Sequence, residues 1–275
     1  MSRIAETFAE LRSRGAAGFV PFLTCGDPEV ELTVPLLEAL DRAGADLIEL
    51  GMPFSDPMAD GPVLQRAAER ALAGGATLRG CLDAVAEFRR GSEVPVVLFG
   101  YYNPVFRYGL ERFAADAREA GVDGILCVDL PPEESGDLDR LARARGLDVI
   151  HLLAPTSTLG RMRKVLSRAR GFVYFVSVAG VTGARAALPE NLETLVRSVR
   201  RLTSLPVGVG FGISTPEQAT RVATFADAVI VGSAIARVIE DCPSDGDVVG
   251  EVEAFAGSLA VAVRGARSHG LEEGR

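Results

Sequence analysis

Short β-rich runs alternate with longer amphipathic segments from one end of this chain to the other. No other feature restricts its fold so strongly. Strand signals fall at residues 18–24, 46–49, 94–99, 124–128, 148–153, 172–177, 206–210 and 228–231. Helical patterns occupy 34–43, 78–90, 110–120, 138–145, 159–169, 191–202 and 216–223 between them. Strand signals that are each followed by a helix suggest strands wrapped by helices rather than a meander. Eight such units predict an α/β fold, a (β/α)8 TIM barrel, rather than an open sheet. An N-terminal helix at 3–14 would cap the barrel floor. Additional helices are expected in the second unit (63–72) and in the eighth (234–240).

At 275 residues, 48% of them hydrophobic, the chain is long enough for one such barrel. We expect a single domain over 1–267 and a disordered polar tail over 268–275. Twenty-nine basic residues against 37 acidic ones give a net charge of −8, with the arginines scattered, so no nucleic-acid surface is expected. The N-terminus lacks the apolar stretch of a signal peptide, and no apolar run approaches membrane-spanning length. Cys25, Cys81, Cys127 and Cys242 show no CxxC spacing. They read as small buried hydrophobes in a reducing compartment, and the expected location is cytoplasmic.

In a barrel of this kind function gathers at the carboxyl ends of the strands. The second strand ends on Glu49 and runs into Gly51-Met-Pro-Phe-Ser-Asp-Pro-Met-Ala-Asp-Gly-Pro62, a stiff loop carrying Asp56 and Asp60. Apolar neighbours disfavour the charged form of Glu49 and move its pKa toward the range where a glutamate both takes and gives a proton. Asp60 would stay ionised beside a polarised N–H, and two carboxyls in different environments hold different roles. The competing structural explanation, that these aspartates make local turns or cap the next helix, weighs more on Asp56 than on Asp60.

The last three strand ends share glycine, hydroxyl and the start of a helix. Glycine lets backbone N–H groups approach an anion, and a helix N-terminus adds a favourable dipole. Gly212, Gly232 and Ser233 fall where barrels commonly dock a phosphate, and Gly183 would close over the same group. Singly these glycines would merely turn the chain; across three adjacent loops they indicate a phosphorylated small molecule. Phe22, Phe99, Tyr101, Leu126, Tyr174 and Phe211 lie near strand ends and suit a flat apolar body on that phosphate tail.

Absences narrow the chemistry. The one lysine, Lys164, falls in an outer helix, which disfavours a Schiff base. His151 lies inside a strand and His269 in the tail, so no catalytic metal is expected. No GxSxG elbow exists. Carboxylates remain.

With these residues assembled, the chain resembles the tryptophan synthase alpha subunit family. The resemblance runs through Pro21–Pro28, Ile48–Pro62, Tyr101–Pro104, Asp129–Ser135, Ala179–Gly183, Gly210–Ser214 and Val231–Ser233. Of these, Ile48–Pro62 is the most specific. It implies retro-aldol cleavage of indole-3-glycerol phosphate to indole and glyceraldehyde 3-phosphate, without a cofactor on this chain. It also implies Glu49 and Asp60 as the catalytic carboxylates, with Tyr174 assisting near the reacting atoms. The implied partner is a pyridoxal-phosphate-dependent beta subunit in an alpha2-beta2 heterotetramer. The loops 53–60 and 177–188, the latter with Thr182, would be mobile lids, and Asp56 a contact across the interface. Val178 departs from the arginine that many members carry, which puts any lid salt bridge there in doubt. A stand-alone lyase, a non-catalytic partner-activating barrel and an isomerase are the alternatives.

Overall fold

The computed structural model describes residues 2–177, 188–210 and 212–266. Their strands are β1 (Gly18–Thr24), β2 (Ile48–Gly51), β3 (Val96–Gly100), β4 (Gly124–Cys127), β5 (Asp148–Val149), β6 (His151–Leu153), β7 (Val173–Val176), β8 (Val207–Gly210) and β9 (Ala228–Val231). All pair in parallel in the order β5-β4-β3-β2-β1-β9-β8-β7-β6. β5 and β6 are the two halves of the expected fifth strand, split at Ile150. The Ile150 N–H still bonds the Ile125 carbonyl at 2.9 Å. β5 pairs back onto β4 and β6 forward onto β7, so the ring closes through that one residue.

Twelve helices accompany the strands among the described residues: α1 (Arg3–Ser13), α2 (Thr33–Arg42), α3 (Pro62–Ala73), α4 (Leu78–Phe88), α5 (Tyr102–Tyr108), α6 (Leu110–Ala120), α7 (Gly136–Ala144), α8 (Leu159–Arg168), α9 (Leu192–Arg200), α10 (Pro216–Ala223), α11 (Ser233–Asp241) and α12 (Val248–Gly265). The additional helices expected in the second and eighth units are α3 and α11. The short helix α5 was not foreseen. Its Tyr101-Tyr-Asn-Pro start reads as a strand exit, but Pro104 sits in the first turn, where its missing N–H is not needed. Asp129 accepts the Tyr102 N–H at 2.8 Å and so caps the helix from the end of β4.

Period-two alternation sorts side chains between two apolar layers. Phe19 and Leu23 of β1, Ile48 and Leu50 of β2, Val96 and Leu98 of β3, and Val173 and Phe175 of β7 pack outward against the helices. Val20, Phe22, Val97, Phe99, Leu126, Tyr174 and Ile230 fill the barrel. Ile4, Phe8 and Leu11 of α1 join that inner layer from below, with Phe8 and Phe172 ring centroids 5.6 Å apart. The N-terminal helix therefore plugs the floor, as expected. Glu49 lies between two outward residues, Ile48 and Leu50, so the same alternation turns its carboxylate into the barrel.

Candidate active site

Glu49 is 1% exposed, on β2 opposite Phe22 of β1 and Val97 of β3. Its Oε1 is buried with no hydrogen-bond partner. Removal from water penalises the carboxylate, and burial alone pushes its pKa up to about 8. At neutral pH its neutral, protonated form is therefore favoured.

Asp60 reaches the same space from the loop between β2 and α3. Gly61 and Pro62 end that loop by starting α3 with a residue whose fixed φ suits the first helical position. The Tyr101 hydroxyl donates to Asp60 Oδ2 at 3.1 Å and accepts the Ala59 N–H at 2.8 Å. The Tyr101 ring packs on Phe54 with centroids 5.1 Å apart, so one tyrosine grips the loop at both ends. Burial raises the Asp60 pKa to about 6, and the Tyr101 hydrogen bond works against that rise.

These two carboxyls border one cleft of about 400 Å³ with Phe22, Leu64, Phe99, Tyr174, Gly212, Ile230, Gly232 and Ser233. Phe22 meets Phe99 edge-on at 5.3 Å, and Phe99 lies 6.3 Å from Tyr174. The cleft's far end is glycine and a helix start. Gly212 has φ +79°, a conformation that side chains disfavour, and Gly232 precedes the first turn of α11. There the Ile235 and Ala236 N–H groups bond the Gly232 carbonyl, while Ser233 and Ala234 begin the helix with their own N–H groups directed out of it. Tyr174 depends on its neighbour in β8: a Cβ on Gly210 would overlap its hydroxyl. Burial drives the Tyr174 pKa upward, and Glu49 and Asp60 add to the rise.

The structure thus brings Glu49, Asp60, Tyr174, Phe22, Phe99, Gly212, Gly232 and Ser233 together. Tyr101 and Leu126 are buried beside the cleft instead of lining it: Tyr101 holds Asp60, and Leu126 packs in the barrel interior. Asp56 is exposed on the loop, where its carboxylate accepts the Ser55 hydroxyl at 2.5 Å. Gly183, Thr182, Val178 and Phe211 lie outside the described residues. So do most of the second expected lid and the expected tail. Leu64 and Ile230 complete the apolar wall and were not anticipated. Ile230 was legible from the alternation in β9, and Leu64 from its place in the first turn of α3.

Outside the cleft, His151 is buried on β6, 3.6 Å from Asp139 of α7. Lys164 pairs with Glu133 at 2.8 Å on the outer surface. Cys25, Cys81 and Cys127 are buried, as expected, whereas Cys242, just past α11, is partly exposed. Among the described residues no helix is long and apolar enough to cross a membrane.

A barrel with an acid pair at one end of its cleft and a glycine cradle at the other meets one family in full. The sequence model described as tryptophan synthase alpha chain matches residues 8–264. The chain belongs to the tryptophan synthase alpha chain family. The tryptophan synthase alpha chain of Geobacter sulfurreducens is 53% identical over 263 residues, covering 96% of this chain and 99% of the relative. That of Geotalea uraniireducens is 54% identical over 245 residues, or 89% and 92%. Among solved structures, tryptophan synthase subunit alpha from Legionella pneumophila superposes with TM-score 0.89 at 42% identity, covering 96% of this chain and 98% of that one. A Mycobacterium tuberculosis tryptophan synthase chain gives 0.88 at 38% identity, with 96% and 98% covered. The tryptophan synthase alpha chain family is one of lyases that cleave indole-3-glycerol phosphate and work with a beta subunit.

Proposed function

We propose that this chain cleaves indole-3-glycerol phosphate with Glu49 as the proton carrier and Asp60 as the acceptor of the indole N–H. The observation that carries the assignment is the unpartnered Oε1 of Glu49, buried in the cleft that Asp60 also borders. Protonated Glu49 delivers its proton to indole C3, which leaves the ring as a cation. The bond from C3 to the hydroxyl-bearing glycerol carbon then breaks, and its electron pair restores the aromatic ring. The hydroxyl on that carbon gives its proton to Glu49 and becomes the aldehyde, so the acid is regenerated. Ionised Asp60 accepts the ring N–H and stabilises the positive charge while it lasts. Tyr174 stands beside the reacting atoms, and the aromatic walls hold the indole.

Gly212, Gly232 and Ser233 receive the phosphate with their backbone N–H groups and the serine hydroxyl, and Gly183 closes over it. The partner is a pyridoxal-phosphate-dependent beta subunit in an alpha2-beta2 heterotetramer in the cytoplasm, with Asp56 at the contact. Exposed Asp56 and the 85% exposed Met58 beside it on the loop that carries Asp60 support that placement.

Single-turnover cleavage of indole-3-glycerol phosphate, with and without a beta subunit, is the test. Glu49→Gln keeps shape and removes proton transfer, so the rate should fall at least about 10³-fold while substrate still binds. Near-normal cleavage by that variant would overturn the assignment. A chain that turns over fully alone and ignores the beta subunit would be a stand-alone lyase.

A further inference from the structure

We infer that Arg237 is the side-chain cation of the phosphate end of this site and sets its affinity for anionic substrate. The inference rests on the reading of the cleft as a phosphate-ester site. No lysine, arginine or histidine is among the described residues that line the reaction cleft, whereas two carboxyls are. At the glycine end of the cleft, a dianion entering a chain of net charge −8 would meet backbone N–H groups and the Ser233 hydroxyl, with no cationic side chain among the described lining residues. Gly212 and Ser233, however, border two cavities at once. On their other side lies a cleft of about 990 Å³ between α11 and α12, into which Arg237 faces. Arg237 is the one cation among the described residues lining either cavity.

Helix geometry brings that charge to the anion. Ser233 and Arg237 are four residues apart on α11, so their side chains share a face at about 6 Å between Cβ atoms. Side chains on a helix lean toward its N-terminus, which directs the guanidinium back over the turn that begins at Ser233. Nothing diverts it. Asp241, one turn further along α11, and Glu251 of α12 line the same cleft, yet Arg237 makes no ion pair among the described residues. The two arginines of the neighbouring helix α3 are engaged: Arg66 and Arg70 both bond Glu240. Arg237 is exposed, so removing it leaves no buried group behind.

Calorimetric titration of the whole chain with glycerol 3-phosphate, and with glycerol as the uncharged control, tests this, alongside steady-state kinetics on indole-3-glycerol phosphate. Arg237→Gln should weaken glycerol 3-phosphate binding about tenfold, or about 1.4 kcal/mol. Arg237→Lys should recover most of the loss. Affinity of the native chain should fall with salt more steeply than that of Arg237→Gln, which a merely structural role would not produce. The loss in kcat/KM should be carried by KM. Equal affinity and equal salt slope in the native chain and Arg237→Gln would overturn the role of Arg237 and leave the phosphate site standing. A native chain that binds glycerol 3-phosphate no better than glycerol would overturn both.

Discussion

The proposed mechanism gives Glu49 and Asp60 opposite protonation requirements, and their surroundings favour both within one pH window. That proposal needs Asp60 ionised and Glu49 protonated, and burial, which raises their pKa values to about 6 and about 8, favours both between those values. The pH profile of kcat/KM should therefore be a bell with limbs near those values, and Asp60→Asn should erase the acid limb. A profile flat from pH 5 to 9 would refute the pairing. The same residue has a thermodynamic signature. Glu49 binds its proton more tightly folded than unfolded, so stability falls as pH rises from about 4.5 toward about 8 and the penalty is complete above that. Glu49→Gln removes the ionisable group and should raise the melting temperature more at pH 8.5 than at pH 5, by an amount reflecting a few kcal/mol. Equal gains at both pH values would show that burial of Glu49 is not the source of its shift.

At the scale of elements, the loop that carries Asp60 leads into α3, and α3 is tied to the end of β1 and to α11. Arg70 makes two bonds to the fully buried Asp27 at the end of β1, at 2.7 and 3.0 Å, and a third to Glu240 of α11 at 3.1 Å. Asp27 is so deeply buried that desolvation raises its pKa even beside that guanidinium. Arg70→Ala strands a buried carboxylate and should cost about 3 kcal/mol in denaturant unfolding, with Asp27→Asn added to it recovering part of the loss. A cost below 1 kcal/mol would mean that Asp27 finds other solvation. Such ties join residues far apart in sequence, and they mark the boundary of what the sequence made legible. Glu49 was readable because its neighbours Ile48 and Leu50 fix the face it occupies, and Ser233 because a glycine and a helix start flank it. Tyr101 was read as pocket wall, since an aromatic at a strand end looks alike whether it meets ligand or loop; only the tertiary path of the loop brings Ala59 and Asp60 to its hydroxyl. The break at Ile150 was hidden for a related reason. Val149 and Ile150 favour strand and the leucines after His151 keep the run apolar, so where pairing changes from β4 to β7 depends on barrel closure rather than on propensity.

For the molecule as a whole, the proposed assembly makes a direct claim on solution behaviour. Mixed with a beta subunit, the chain should elute as a complex of two copies of each. Asp56→Lys should weaken that association by about tenfold or more, a change read by analytical ultracentrifugation, without altering the unassisted cleavage rate. Unchanged affinity would move the interface elsewhere on the molecule. The split at Ile150 also divides the proposed site between the two halves of the chain. A cut there would give an amino-terminal fragment carrying Glu49, Asp60 and the tyrosine that holds the loop. The carboxyl-terminal fragment would carry Gly212, Gly232, Ser233 and Arg237. One fragment would hold the proposed proton carrier and the other the proposed grip on the phosphate, so neither alone would present the whole site.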